Sequence, residues 1–431
     1  MMLSLAAAGV TLVLAGGTVI DGYGNAPIQD GIVVIENDRI LAVGSAGQVV
    51  VPEGAEVVST EGMTVLPGLW DMQVGLMRLG HGDAGRWNET YGPLAERVVM
   101  PIAARQLLGA GITSARDAAA PLDAAIRVRG RIRENFIDGP SLYVSGPVLR
   151  KLAPQGTGEW QWEIGSADDA RAKVRRLADA GVDYVLVADI AMWKAEELEA
   201  VVSEARIRGL PVHAYAEEAE DIARAVAAQF DGFLGIGNGA EAFPMEVTQS
   251  LAGRTAQAGA RPIAWTPAIS SILNLESLRV NDEPLDDPRA TAGLPVLVAA
   301  DVKGSLASLD RVAPPALSAA RAASACERLK QLDTGKALLL VGSDAGSPGH
   351  LHARATWQEI DFWVRQCGIP AIRAIRAATH DAATAVGAGH ETGAISPGKI
   401  ADVIAVRGDV LRNPALLQSV DIVVRRGRRV R

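Results

Sequence analysis

The sequence predicts an α/β protein: a closed (β/α)8 TIM-like barrel joined to a small β-sandwich built from both ends of the chain. Three observations lead there. Apolar runs of four to seven residues alternate through the middle of the chain with Ala-, Arg- and Glu-rich amphipathic stretches such as 168–180, 195–208 and 219–229. Strand followed by helix, repeated, is the signature of a parallel sheet. Eight such repeats in about 270 residues suit ring closure. The two ends instead read as short Val- and Ile-rich strands punctuated by turns.

In chain order, residues 10–60 give short strands separated by Asp21-Gly22, Asn25-Ala26-Pro27, Asn37-Asp38 and Pro52-Glu53-Gly54. The first apolar stretch has no Lys or Arg ahead of it and no clear cleavage site, so it is read as a strand running into residues 17–22 rather than a secretory leader. Gly9, Gly16 and Gly17 also break it too early to span a bilayer. Barrel strands are expected at 71–74, 113–116, 141–145, 184–187, 211–215, 232–236, 262–266 and 338–343. No glycine-rich phosphate loop follows the first of them, which disfavours an open doubly wound sheet. The interval from Thr266 to Leu338 exceeds one connection and is expected to hold extra helices over the barrel mouth. Strands at 400–406 and 420–424 close the chain. The expected domains are 1–63 and 391–431 for the sandwich and 64–390 for the barrel.

Composition narrows the function. The 431 residues are 48% hydrophobic and 21% charged, a globular balance long enough for a large core. Net charge is −8, and the one dense basic run, Arg425 to Arg431, reads as a solvated edge strand, so nucleic acid is disfavoured as a partner. Eight Trp, five Tyr and five Phe are too few for base-stacking platforms. Cys326 and Cys367 are too few for a disulfide framework and too far apart for a CxxC motif. Thiols of a reducing, cytoplasmic compartment are therefore expected, with no structural zinc and no membrane partner.

Several stretches carry a resemblance. Residues 64–71 (Thr-Val-Leu-Pro-Gly-Leu-Trp-Asp) lead into the first barrel strand, and Gly111-Ile112-Thr113 precedes the second. Val212-His213-Ala214-Tyr215, Gly342-Ser343-Asp344-Ala345-Gly346 and Ser396-Pro397-Gly398-Lys399-Ile400-Ala401-Asp402 follow. With these motifs the chain resembles the amidohydrolase superfamily over essentially its whole length, closest to the imidazolonepropionase-like and Xaa-Pro-dipeptidase-like branches. The resemblance implies hydrolysis of amide, ester or C–N bonds with one or two divalent metals at the carboxyl end of the barrel. It implies His-x-His on strand one, Lys or Glu on strand four, one His each on strands five and six, and a general-base Asp on strand eight.

This sequence departs from that pattern. The first pair falls on Gln73 and Gly75, the fourth-strand position on Leu186, and the sixth-strand motif reads Gly235-Ile236-Gly237. His213 and Asp344 alone keep donor residues. Catalytic zinc wants three protein ligands, so no metal ligand set is assigned and no cofactor is expected. The alternative is one divalent ion, zinc for preference, completed by His350 or His352, six and eight residues past Asp344.

Without a metal, Asp344 and His213 are the candidate catalytic residues. A carboxylate at the end of a barrel strand needs a partner if buried, and His213 across the barrel would tune it for proton transfer. Gln73, Tyr215, Arg116, Asn238, His350 and His352 are the candidate substrate contacts; Asp71 and the pair Arg116-Asp117 also read as a framework ion-pair network. No Gly-x-Ser-x-Gly elbow and no Cys beside a His offers a nucleophile. Three functions stay open: a metal-independent acid–base enzyme for elimination, isomerisation, cyclisation or hydrolysis of a small molecule; a mononuclear metal hydrolase; and a non-catalytic binding protein or degenerate subunit. The resemblance further implies a homo-oligomer or a pairing with a homologous subunit.

Overall fold

A computed structural model describes residues 11–216, 218–256, 262–280, 288–289, 291–308 and 315–431. They divide into two compact units, one made of both chain ends up to Leu69 and from Ala371, the other of Trp70–Pro370. The helices Ala371–Ala377 and His380–Ala385 thus group with the chain ends.

In the terminal unit, strands β1 (Thr11–Val19), β2 (Ile28–Glu36) and β3 (Arg39–Ser45) form an antiparallel meander. Strands β4 (Glu56–Ser59) and β5 (Met63–Pro67) both run parallel to β1. The carboxyl-terminal strand Val403–Arg407 pairs antiparallel with β5, placing Val403 opposite Pro67 and Arg407 opposite Met63. Ile422–Arg425 and the short Arg428–Arg429 follow it outward, giving a single eight-stranded sheet from both ends. Alternation sorts the side chains: Leu12, Leu14, Val33 and Ile35 enter one apolar cluster, Val13, Ile32 and Val34 another. The exposed Arg428–Arg429 strand ends the sheet, as the basic run suggested.

The second unit is the barrel. Its strands are β6 (Leu69–Val74), β7 (Ile112–Asp117), β8 (Ser141–Val144), β11 (Val185–Val187), β12 (Val212–Tyr215), β13 (Gly232–Leu234), β14 (Ala264–Thr266) and β15 (Leu338–Leu339). The numbers skip β9 (Val148–Arg150) and β10 (Gln161–Glu163), a parallel pair inserted after β8. Neighbours pair in parallel from β11 to β15, and Asp183 N donates to Val144 O at 2.8 Å to join β8 to the run. Met72 N bonding Val341 O (2.9 Å) and Asp344 N bonding Gln73 O (2.7 Å) close the ring. All eight expected strands are present.

Helix signals work as the sequence implies. In Ala167–Ala180, Ser166 accepts from Asp169 N at the start, Ala170, Val174 and Leu177 are the buried stripe, and Gly181 ends the helix at φ +81°. Between β14 and β15 lie the helices Ile269–Val280, Val296–Ser305 and Pro315–Thr334, the extra helices expected there. The carboxylate of Glu359, fully buried, accepts from Ile269 N, Ser270 N and the Trp363 indole, satisfying the first turn of Ile269–Val280.

The cysteines correct an expectation. Cys326, in Pro315–Thr334, and Cys367, just after the helix Ala355–Arg365, form a disulfide with Cα atoms 4.8 Å apart. Two residues 41 positions apart carry no local signal of pairing; helix packing brings them together. Cys326→Ser is expected to lower stability by about 2–4 kcal/mol through the freed loop. Urea unfolding with and without reductant checks it, since reductant must shift the parent and leave the variant alone.

Candidate active site

Asp344 sits just past β15, at the carboxyl end of the barrel where this fold gathers its chemistry. Its backbone adopts φ +56°, a left-handed conformation that Asp tolerates better than most residues. The turn is packed tightly: a Cβ on Gly346, itself at φ +98°, would lie 2.5 Å from Gly75 O. The Asp344 side chain is 26% exposed, with Arg78 Nη2 3.9 Å from Oδ1 and the Gln73 and Ser347 side chains beside it. Burial pushes its carboxyl upward, and the Arg78 charge is the largest opposing influence.

His213 does not serve Asp344. From β12 its ring lies over Gly232, and Arg116 Nη1 donates to His213 Nδ1 at 3.3 Å. A guanidinium has no acceptor, so the imidazole carries its proton on Nε2. Burial, then the Arg116 charge, hold the imidazole well below its usual range and keep it neutral. The expected His213–Asp344 couple is replaced by a His213–Arg116 couple.

Arg116 is neither a substrate contact at the surface nor the partner of Asp117. Its side chain is 2% exposed and runs inside the barrel, Nε to Met72 O at 2.8 Å and Nη2 to Thr266 Oγ1 at 3.2 Å, over the Tyr184 ring. Asp117 accepts from Leu76 N at 2.9 Å, and burial raises it to about 7. Asp71 is bonded by Ser343 Oγ (2.5 Å), Thr356 Oγ1 (2.7 Å) and two backbone amides, with burial still raising it to about 6. Both carboxyls are framework groups stitching strand ends together.

The other expected contacts divide. Gln73 is buried, its Oε1 without a hydrogen-bond partner among the described residues, and Tyr215 is half-buried, its phenol pushed upward by burial and by Asp344. Asn238 is half-buried on the loop after β13. His350 and His352 are fully buried, and none of their ring nitrogens has a hydrogen-bond partner among the described residues, so they lie inside the post-β15 loop instead of facing a ligand. His81, on the loop after β6, bonds Asp83 and lies 3.6 Å from Asp301 of Val296–Ser305.

Two residues were missed. Arg78 lies on the loop after β6, and Arg321 on Pro315–Thr334 donates Nε to Gly237 O at 3.2 Å. A Cβ on Gly75 would stand 3.1 Å from Arg78 Nη2, so the absent side chain at 75 is what makes room for that guanidinium. The glycine was the readable signal.

The model of the amidohydrolase family matches residues 64–430. The chain belongs to this family. Among solved structures, a Xaa-Pro dipeptidase with methionine bound in its active site has a TM-score of 0.76 at 21% identity, covering 97% of this chain and 99% of its own. Ochratoxinase from A. niger has a TM-score of 0.73 at 21% identity (98% and 96% covered), and molinate hydrolase 0.74 at 20% (98% and 95%). At these identities the likeness is one of fold. No curated protein matches the chain.

Amidohydrolases of this kind are expected to carry divalent metal, and the residues here do not fit one. Amide, glycine and aliphatic side chains stand at 73, 75, 186 and 236, and the imidazole of His213 accepts from a fixed guanidinium where an ion would need its lone pair. Among the described residues no three His, Cys, Asp or Glu side chains gather to hold an ion.

Proposed function

We propose that this amidohydrolase is a metal-independent acid–base enzyme acting on a small molecule, with Asp344 as the group that takes and returns the proton. The observation that carries this reading is the state of Asp344: partly exposed at the barrel mouth, held by a guanidinium and flanked by an amide. Partial burial makes the carboxylate a stronger base than in water, and Arg78 keeps it ionised. Tyr215, which stays protonated, supplies an O–H to a substrate oxygen, and the buried Gln73 side chain bonds Asp344 and orients its carboxylate. His213 stays neutral near pH 7 and positions the strand ends rather than shuttling protons.

Among elimination, isomerisation, cyclisation and hydrolysis, those that begin with proton abstraction need less electrostatic assistance than attack on an amide carbonyl. They are the better match to a site whose cations are guanidinium groups. The disulfide favours an oxidising compartment over the cytoplasm. The test is turnover across a small-molecule panel before and after exhaustive chelation, with metal analysis of the untreated protein. Unchanged turnover is expected; activity lost to the chelator and restored by zinc overturns the reading.

A further inference from the structure

We infer that the guanidinium of Arg78 is the resident cation of this site, a positioning group that fills the place a divalent ion would need between positions 73, 75 and 344. This deepens the metal-independent reading of the site, and it holds whether or not Asp344 is the group that takes the proton.

The placement starts from the backbone. Strand β6 ends at Val74, and Gly75 turns the chain, its N donating to Ala345 O at 2.7 Å while Arg78 N donates to Gly75 O at 3.1 Å. The turn brings the Arg78 side chain back over residue 75, where a Cβ would lie 3.1 Å from Nη2 and 3.3 Å from Nε. A larger side chain there, an imidazole included, would need the volume that the guanidinium fills. Residues two apart on a strand share a face, so position 73 looks the same way. Its Gln side chain bonds Asp344, and Arg78 Nη2 stands 3.9 Å from Asp344 Oδ1. Positions 73, 75 and 344 thus border one small volume, and a positive charge occupies it.

That charge has no other duty. Arg116 and Arg328 spend their donors on backbone and side-chain acceptors, Arg328 on Ile236 O and Glu241 O. The Arg78 side chain makes no hydrogen bond among the described residues, and Asp344 is its one ion-pair partner among them. A guanidinium 26% exposed and without acceptors is held there by the anion it faces. Burial raises both the Asp344 and the Asp117 carboxyls, and the Arg78 charge opposes that rise in each, as a bound ion does for its ligands. A guanidinium differs from an ion in two respects. It carries donors only and accepts no lone pair, so it orients a carboxylate without activating water. It also belongs to the chain, so no chelator removes it.

The test puts an ion's ligands back. In the full-length chain, Gln73→His/Gly75→His adds two imidazoles beside Asp344, the three ligands a catalytic ion wants. The pair is made with Arg78 kept, with Arg78→Ala and with Arg78→Lys. Each variant is shown by circular dichroism to be folded, dialysed against chelator and titrated with cobalt(II) alone, whose visible absorption reports coordination. Stoichiometric binding is expected with Arg78→Ala, and binding at least about tenfold weaker with Arg78 kept or with Arg78→Lys, because a fixed positive charge repels the ion. Equal binding with and without Arg78, no binding in any variant, or Arg78→Lys binding like Arg78→Ala overturns the assignment. A second measurement needs no added imidazole: Gly75→Ala is expected to lower the melting temperature of the parent and not that of Arg78→Ala. Equal shifts in the two backgrounds would remove the guanidinium from this place. Failure of the metal-independent reading shows separately, as turnover of the parent lost to chelator.

Discussion

Asp344→Asn is expected to lower kcat by about 10²–10⁴-fold, the usual worth of a positioned general base. Asparagine is the sharp substitution because it keeps the size and tolerates the left-handed backbone at φ +56°, so the loop keeps its shape while the proton acceptor is lost. Asp344→Ala would add backbone strain and confuse the two effects. Arg78 and Gln73 still have a polar neighbour in the Asn variant, and substrate affinity is expected to hold or improve. Initial rates and a thermal melt on the same preparation are sufficient. A loss under tenfold with an unchanged melt would remove Asp344 from the chemistry and leave the barrel a binding protein.

Much of this architecture was legible because it depends on short-range pattern. Strand position follows from apolar runs flanked by turn residues, and the carboxyl end of β15 is enough to put Asp344 at the mouth. The direction of a long side chain is another matter. Period-two alternation says that Arg116 points inward, but its guanidinium finds Met72 O, Thr266 and His213 on three other strands, and no local signal encodes that choice. Arg116 beside Asp117 looked like an ion pair; successive residues of a strand face opposite ways, and the two part company. Arg321 sits on a helix outside the repeating unit, so neither barrel periodicity nor the family pattern gave it a place. His350 and His352 looked like loop residues free to meet a ligand, yet the loop folds over them, and Leu351 between them joins Leu278 and Leu306 in an apolar cluster.

That burial has a measurable consequence in acid. His350 is held at about 4 and His352 at about 3, burial being the first cause for both, against 6.5 in the unfolded chain. As pH falls below about 6.5 the unfolded chain takes up two protons that the native protein refuses, so these residues remove stability, by roughly 3 and 5 kcal/mol in full. Buried carboxyls act in the opposite direction: Asp71 at about 6, Asp117 at about 7 and Glu359 at about 7 bind protons in the native state first. They add stability as pH falls from about 7 to about 4. Three carboxyls outweigh two imidazoles between pH 6.5 and 4.5, and stability is expected to rise gently there, by about 2 kcal/mol. Below pH 4 the carboxyls become protonated in both states and their gain is completed, while His350 and His352 take up their own protons at about 4 and 3, so the five groups together remove no more than about 1–2 kcal/mol. The double variant His350→Gln/His352→Gln keeps the carboxyl gain and loses the histidine cost. Relative to its own value at pH 7, its urea-derived stability at pH 4.5 is expected to exceed the parent's change by about 5 kcal/mol, two protons over two pH units. Parallel pH profiles for parent and variant would mean that both imidazoles titrate in the folded protein as they do in the unfolded chain. The loop would then be open to water, and the enclosed wall it gives the Asp344 site would be lost with it.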